Sequence, residues 1–530
     1  MRRKIMLFVV ITAIASVTLP LSAFGQISLL HHFTGGPDDG RNPYGSLALQ
    51  GTTMYGMTLL GGDENLGAIF SMDAGGNGFE LLHEFAGGTE DGRKPYWSGL
   101  TLSGALLYGM TKEGGDDNFG VIFSVDIYGN NFTLLHEFSG GADDGRDPYG
   151  GLTWASNALY GMTHMGGDDD RGTVFSISIQ ESEFTLLHEF SGITDGRSPQ
   201  GDLTLSGNTL YGMTYAGGAS GMGVIFSIDT DGNNFDLLHE FAGYPDDGRN
   251  PRGALTLSGE TLYGMAHGGG EGSGGVIFAV GIDGSGYTLL HEFSGGNDDG
   301  KEPFGRLLLF ESTLYGMTKL GGDSDWGTIF QIGTDGSGFE LLHEFAGDPD
   351  DGKTPWGNLA LSGLQSNLYG MTYAGGISNL GVVFSLDRSP VELISLDASG
   401  YNMDVQVTWE TASETECEGF YLWRANDQIP PPSPDDYARI TDVMIPSEGN
   451  ESLGASYSYI DMDVLAGTRY YYRLEVVDIH GGSTFHGPVN ALTASNCGAV
   501  KSPDKDLGLL WYLMAVIPIC LAWLLRRRIH

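Results

Sequence analysis

Apolar and polar positions alternate along most of this chain in short runs. In residues 132–138, Phe132, Leu134, His136 and Phe138 fall on one face, and Leu135 and Glu137 on the other. That two-residue period is the mark of a half-buried strand. Such runs alternate with clusters of glycine, aspartate, asparagine and serine, which are turn residues. Apolar segments of helical period and length are missing from the first 390 residues, so the pattern predicts an all-β protein.

The pattern also repeats. A Leu-Leu-His-Glu-Phe motif places histidines at His31, His83, His136, His188, His239, His291 and His343. A Tyr-Gly-Met motif recurs from Tyr55 to Tyr369, and a Gly-Val-Ile-Phe-Ser motif from Phe70 to Phe384, each seven times at spacings of 51 to 54 residues. One unit divides into four strands, in the fourth copy 202–205, 209–214, 223–229 and 235–241. Four short strands per unit of this length fit a propeller blade of the kelch size class. The array opens on a lone strand at 27–33 and stops after the third strand of its last unit. Pairing 27–33 with 381–386 would close a seven-bladed β-propeller and remove its open edge. These three motifs, over roughly 27–387, resemble the GloVer tandem repeat of exported bacterial proteins. The resemblance implies architecture and location; it brings no established enzymatic activity.

The recurrent residues divide by position. Alternation puts the histidines on the Phe/Leu face, where they are expected to pack between blades with ring nitrogens bonded to neighbouring backbone. The glycine before each methionine, such as Gly109, is expected to let a neighbouring strand approach. The blade-to-blade connection carries Asp-Gly-Arg or Asp-Gly-Lys, then a proline and usually an aromatic residue. Tyr44, Tyr96, Tyr149, Phe304 and Trp356 would ring the channel mouth and offer stacking faces to a glycan or protein partner, with Gln200 and Arg252 breaking the ring. A basic ring of Arg41, Arg93, Arg146, Arg197, Arg249, Lys301 and Lys353 threads the same face, and Arg41, Arg93, Arg146 and Arg249 join the ligand-binding candidates. Three readings compete for these loops: turn chemistry with the arginines paired to a neighbouring blade's carboxylates, the partner site, and calcium held by Asp143, Asp144, Asp168 and Asp169. No other cofactor is expected. Ser227-Ile228-Asp229 with Gly232 and Phe235 resembles the Asp-box of sialidase propellers, a folding element, with one residue too many. No Gly-x-Ser-x-Gly or His-Glu-x-x-His motif occurs. A non-catalytic binding or scaffold protein is therefore expected, with a secreted propeller hydrolase acting on extracellular polysaccharide as the alternative.

Beyond residue 388 the periodicity changes. Strands at 391–397, 404–410, 419–424, 457–461, 469–477 and 488–493, with Trp409 early and Tyr470-Tyr471-Tyr472 late, resemble a fibronectin type III β-sandwich over 389–495. Cys417 and Cys497 would lie at opposite poles and Cys520 in an apolar segment, so no disulfide is expected. Residues 1–25 read as a signal peptide, with Arg2, Arg3 and Lys4 before an apolar stretch. A linker at 496–506 leads to an apolar, uncharged 507–525, a single C-terminal transmembrane helix, and a basic tail at 526–530 expected in the cytoplasm. This end resembles the sorting signals of the PEP-CTERM type, although the Pro-Glu-Pro triplet is absent. The chain would then be exported and anchored to the membrane at the cell surface. A net charge of −41, from 67 acidic against 26 basic residues, excludes nucleic acid as a partner.

Overall fold

The computed structural model describes residues 27–97, 99–361, 367–387, 391–401, 404–414, 417–426, 437–449, 454–478 and 483–493. Residues 1–25, expected to be a signal peptide, the apolar segment 507–525, Cys497 and Cys520 lie outside them. All regular secondary structure among the described residues is β. No helix there is long and apolar enough to cross a membrane. The chain divides into two compact units, one running to Glu392 and the other starting at Leu393.

In the first unit each repeat builds its own antiparallel array. The fourth repeat has Arg197–Pro199 and Thr204–Ser206 end to end along one edge of Thr209–Ala216, followed outward by Val224–Asp229 and Asp236–Glu240. The three outer strands fall where alternation puts them. The inner strand starts earlier than the sequence suggests, because the Asp-Gly-Arg-x-Pro segment is itself paired: Arg197 lies opposite Ala216 and Pro199 opposite Thr214. The first strand of the chain, Ile27–His32, lies antiparallel to Val382–Leu386, with Ile27 opposite Leu386 and His32 opposite Val382. The Phe33 N–H donates to the Gly381 carbonyl at 3.0 Å. The expected closing pair is thus formed, and the array is all-β and propeller-like.

The core lies between successive sheets. Tyr108, Met110, Ile122 and Phe138 of the second repeat pack on Leu152, Leu159, Phe175 and Ile177 of the third. The glycine of each Tyr-Gly-Met serves this packing in another way than expected. A Cβ on Gly161 would stand 2.5 Å from Cζ of Phe175 on the adjoining strand of its own sheet. The missing side chain makes room for an aromatic ring rather than for an approaching strand.

In the second unit, Val391–Gly400, Val405–Glu414 and Ser456–Asp461 form one sheet. Cys417–Asn426, Arg469–Asp478 and Ser483–Leu492, with short edge pieces, form the other. Buried Trp409 stacks on Tyr457 at 5.1 Å and meets Phe420 at 5.6 Å. Asp461, also buried, accepts from Arg424 Nη1 at 2.7 Å and from the Tyr472 hydroxyl at 2.9 Å. Cys417 is buried.

Candidate binding site at the axis of the repeat array

The site is built from the inner strands, and the residue between arginine and proline sets their course. Asn42, Lys94, Asp147, Ser198, Asn250, Glu302 and Thr354 all have φ between 51° and 56°, a left-handed conformation uncommon for such residues. Each N–H crosses to a carbonyl of the preceding repeat, as from Asn42 to Leu380 at 2.6 Å, Lys94 to Leu66 at 2.7 Å and Glu302 to Gly274 at 2.7 Å. The bond compensates the strained backbone and fixes the angle at which the strand enters the axis. Two residues beyond the proline comes a glycine at which neighbouring strands nearly touch. A Cβ on Gly253 would overlap the Gly305 carbonyl, and one on Gly357 the Gly45 carbonyl.

Between proline and glycine stand the residues singled out from the sequence. They pack on one another, from one repeat to the next. Tyr44 and Phe304 are only 2% and 5% exposed, and burial pushes the Tyr44 phenol far up. Tyr44 stacks on Tyr96 at 4.8 Å and leans on Trp356 at 4.9 Å, while Tyr96 meets Tyr149 at 5.3 Å. Tyr96, Tyr149 and Trp356 remain half-buried. Trp97, which the sequence reading passed over, ties the group together. It contacts Tyr44, Tyr149, Phe304 and Trp356, reaching from the second repeat to the sixth and seventh. Its signal was one extra residue, Pro-Tyr-Trp-Ser-Gly where the third repeat has Pro-Tyr-Gly-Gly. Beside the aromatic cluster is a cavity of ≈ 30 Å³ lined by Ser46, Trp97, Asp202, Arg252, Trp356 and Asn358, among others. That is room for about one water.

A second tier comes from the residue that follows Tyr-Gly-Met-Thr or its variant: Leu59, Lys112, His164, Tyr215, His267, Lys319 and Tyr373, all half-buried. The signal here is one varying position inside a motif that otherwise repeats. Lys112 Nζ lies 5.3 Å from the rings of both Tyr96 and Tyr149, and His164 packs on Tyr149 at 4.7 Å. Lys319 pairs with Glu302 at 2.8 Å and lies 5.0 Å from the Trp356 ring. Arg252, on the inner tier, donates to the Tyr215 hydroxyl at 3.2 Å and lies 4.7 Å from that ring. Burial, and then nearby cations, depress His164 to about 4, and His267 likewise. Both imidazoles are neutral at pH 7.

The repeated histidine is structural, as alternation implies, but its partner is a side chain. In every repeat His Nε2 donates to the aspartate of Asp-Gly-Arg or Asp-Gly-Lys, at 3.0 to 3.2 Å, as in His136–Asp144 and His188–Asp195. Six of the rings lie flat against the Phe or Tyr that opens the next repeat's outer strand, His136 on Phe184 at 4.0 Å. Asp144 also accepts from the N–H groups of Ser139 and Gly145. Burial alone would raise its carboxyl, but His136 and these N–H donors outweigh that and hold it below the ordinary carboxylate range.

Asp144 is therefore committed to the fold, while Asp143, Asp168 and Asp169 are exposed. Among the described residues no group of three or more His, Cys, Asp or Glu is placed to hold a metal ion. The expected arginine pairs form within a repeat, not with the neighbouring blade. Arg93 meets Glu113 at 3.1 Å and Arg146 meets Asp170 at 2.6 Å. Arg41 and Arg249 make no ion pair among the described residues. Asp147 is a carboxyl raised by burial, with Lys112 and Arg146 opposing the rise. The acids nearest to it are engaged, Glu113 with Arg93 and Lys94 and Asp170 with Arg146. Glycoside hydrolysis would need a free second carboxyl facing it.

Residues 17–220, 194–312 and 285–404 match the model of the Gloeobacter/Verrucomicrobia repeat, more than half of the chain, and the protein belongs to that family. No curated protein sequence matches it. Among solved structures it is similar to a putative 6-phosphogluconolactonase from Bacteroides fragilis, at 13% identity and TM-score 0.40, over 78% of this chain and 97% of that one. It is also similar to a putative TolB from Agrobacterium tumefaciens, at 10% identity and TM-score 0.34, over 58% and 93%. The polysaccharide lyase Uly1 matches at 9% identity and TM-score 0.39, over 66% and 91%. At these values the likenesses say nothing about chemistry.

Proposed function

We propose that this chain is an exported, surface-anchored, non-catalytic binding protein. Its first unit is a seven-bladed β-propeller that takes a glycan at one end of its axis. Its second is a fibronectin type III-like spacer, and the apolar 507–525 with its arginines is the anchor. The observation that carries this reading is where the repetition fails. Histidine, aspartate, glycine and methionine recur around the array, whereas the inner-strand positions of Trp97, Gln200 and Arg252, and the position held by Lys112 and Lys319, vary from repeat to repeat. A purely structural axis would have no need of such variety. Half-buried Tyr96, Tyr149 and Trp356 with cations beside them suit the apolar faces and hydroxyls of a sugar. A hydrolase is disfavoured because the acids around Asp147 are tied in ion pairs. A glycan array probed with the full-length protein tests this. Selective binding lost in Tyr149→Ala and Trp356→Ala, with unfolding midpoints unchanged, is the expected result. A blank array, or binding indifferent to both substitutions, would overturn it.

A further inference from the structure

Several cations of the inner strands are matched by carboxylates: Arg93 and Lys94 by Glu113, Arg146 by Asp170, Lys319 by Glu302. Lys112 and Arg252 make no ion pair among the described residues, nor do Arg41, Arg249 and Arg306, but Lys112 and Arg252 also lie against aromatic rings. Both are half-buried. Lys112 rests between the faces of Tyr96 and Tyr149, with Asp147 and Glu113 acting on it only from beyond ion-pair distance. Arg252 rests on Tyr215 and, at 5.8 Å, on Trp97, and its Nε has no hydrogen-bond partner. The two belong to one cluster. Trp97 packs on Tyr149 at 5.1 Å, and His164, against Tyr149, feels the charge of both.

Burial opposes the Lys112 charge, but the Tyr149 hydroxyl and the more distant Asp147 and Glu113 outweigh it and hold the ammonium pKa above its ordinary value. Each of the two cations keeps the capacity to pair with a carboxylate brought by a ligand. Two such cations, each set against aromatic faces, suit an anion with a flat body. The indoles of Trp97 and Trp356 have buried Nε1 donors without partners, which adds unmet hydrogen-bonding capacity to the cluster. The small cavity is lined by Asp202 as well as by Arg252 and has room for about one water, so the sugar ring belongs outside it, on the Lys112 side of the aromatic cluster.

Resting on the glycan reading above, we propose that the site selects a carboxylated glycan, a uronic-acid-containing oligosaccharide. Its carboxylate is taken by Lys112 and Arg252, and its sugar ring by Tyr149 and Trp97. A point charge and a guanidinium fork suit a carboxylate, and the flanking rings favour a sugar over a bare acidic peptide.

The test is calorimetric titration of the full-length protein with oligogalacturonate, with the same oligosaccharide methyl-esterified to remove its charge, and with oligoglutamate. Oligogalacturonate is expected to bind best, and Lys112→Gln and Arg252→Gln each to weaken it ~30-fold or more, with unfolding midpoints unchanged. Added salt should weaken it as well. Equal binding of the charged and esterified forms would overturn the carboxylate proposal and leave the glycan site standing. Binding of oligoglutamate alone would overturn the choice of glycan. Binding of no saccharide here or on the array would remove both.

Discussion

At the residue scale, the most informative contact is the one between histidine and aspartate. The histidine could be read from alternation as packed between sheets, because Phe132, Leu134 and Phe138 share its face. Its partner was harder to see. The aspartate lies eight residues on, seven in His188–Asp195, within a string of Asp and Gly that looks like an ordinary turn. In the structure it gathers the imidazole and the N–H groups of two loop residues, so its loss would leave several donors unpaired at once. Asp144→Ala is expected to destabilise the protein by roughly 2–4 kcal/mol, read from the urea midpoint. A change within error would mean the pair is incidental. The same groups set the acid limit. Asp39, Asp144, Asp195, Asp247 and Asp299 are held below their usual 3.8 in the folded chain. Their contribution is complete above that value and disappears as the pH falls further. His164 and His267 act sooner. Their folded pKa values near 4 lie below the 6.5 of a free imidazole, so the unfolded chain takes up protons first and stability declines between pH 6.5 and 4. His164→Gln should flatten that part of the pH–stability curve, and an unaltered slope would show that the burial of His164 does not govern it.

At the element scale, the three outer strands of each repeat were legible because short apolar or alternating runs stand between clusters of turn residues. The inner strand was legible only in its second part, read at 202–205 and found at Thr204–Ser206. A proline preceded by a left-handed residue, as in Arg146-Asp147-Pro148, has the composition of a turn, yet it pairs with the next strand and sends one N–H to the repeat before it. The consequence reaches the site, since the aromatic residue after the proline is packed on its neighbours from other repeats. The glycine of Tyr-Gly-Met makes a sharper point about packing within a sheet. Gly161→Ala is expected to cost about 1–3 kcal/mol through the clash with Phe175, and Phe175→Leu in the same chain to recover part of it. If the double variant loses the sum of the two single effects, the ring is not the obstacle. Trp97 and the varying position after Tyr-Gly-Met-Thr were present in the sequence as irregularities of the repeat. What they meet could be known only once the repeats were placed around a common axis.

At the scale of the whole molecule, a repeating scaffold carries a non-repeating centre. The closing pair between Ile27–His32 and Val382–Leu386 satisfies both ends of the array, and the His–Asp, Gly–Phe and left-handed links recur around it without regard to any ligand. Polar and aromatic variation gathers at the inner strands and in the exposed loops, and these two places divide the functional readings. The acids of the loops are either committed to the fold, as Asp144 is, or exposed singly, as Asp143, Asp168 and Asp169 are. The axis alone brings aromatic faces, unpaired cations and unmet donors together. The most direct test is titration of the strongest glycan from the array into the full-length protein, its Trp97→Ala variant, and a variant with Asp143, Asp168 and Asp169 all changed to Asn, each with calcium and with EDTA. Trp97→Ala should lose ~10-fold or more in affinity, while the triple variant binds as the parent does in both conditions. Loss of binding in the triple variant or in EDTA, with Trp97→Ala unaffected, would contradict the account and move the site to the loops.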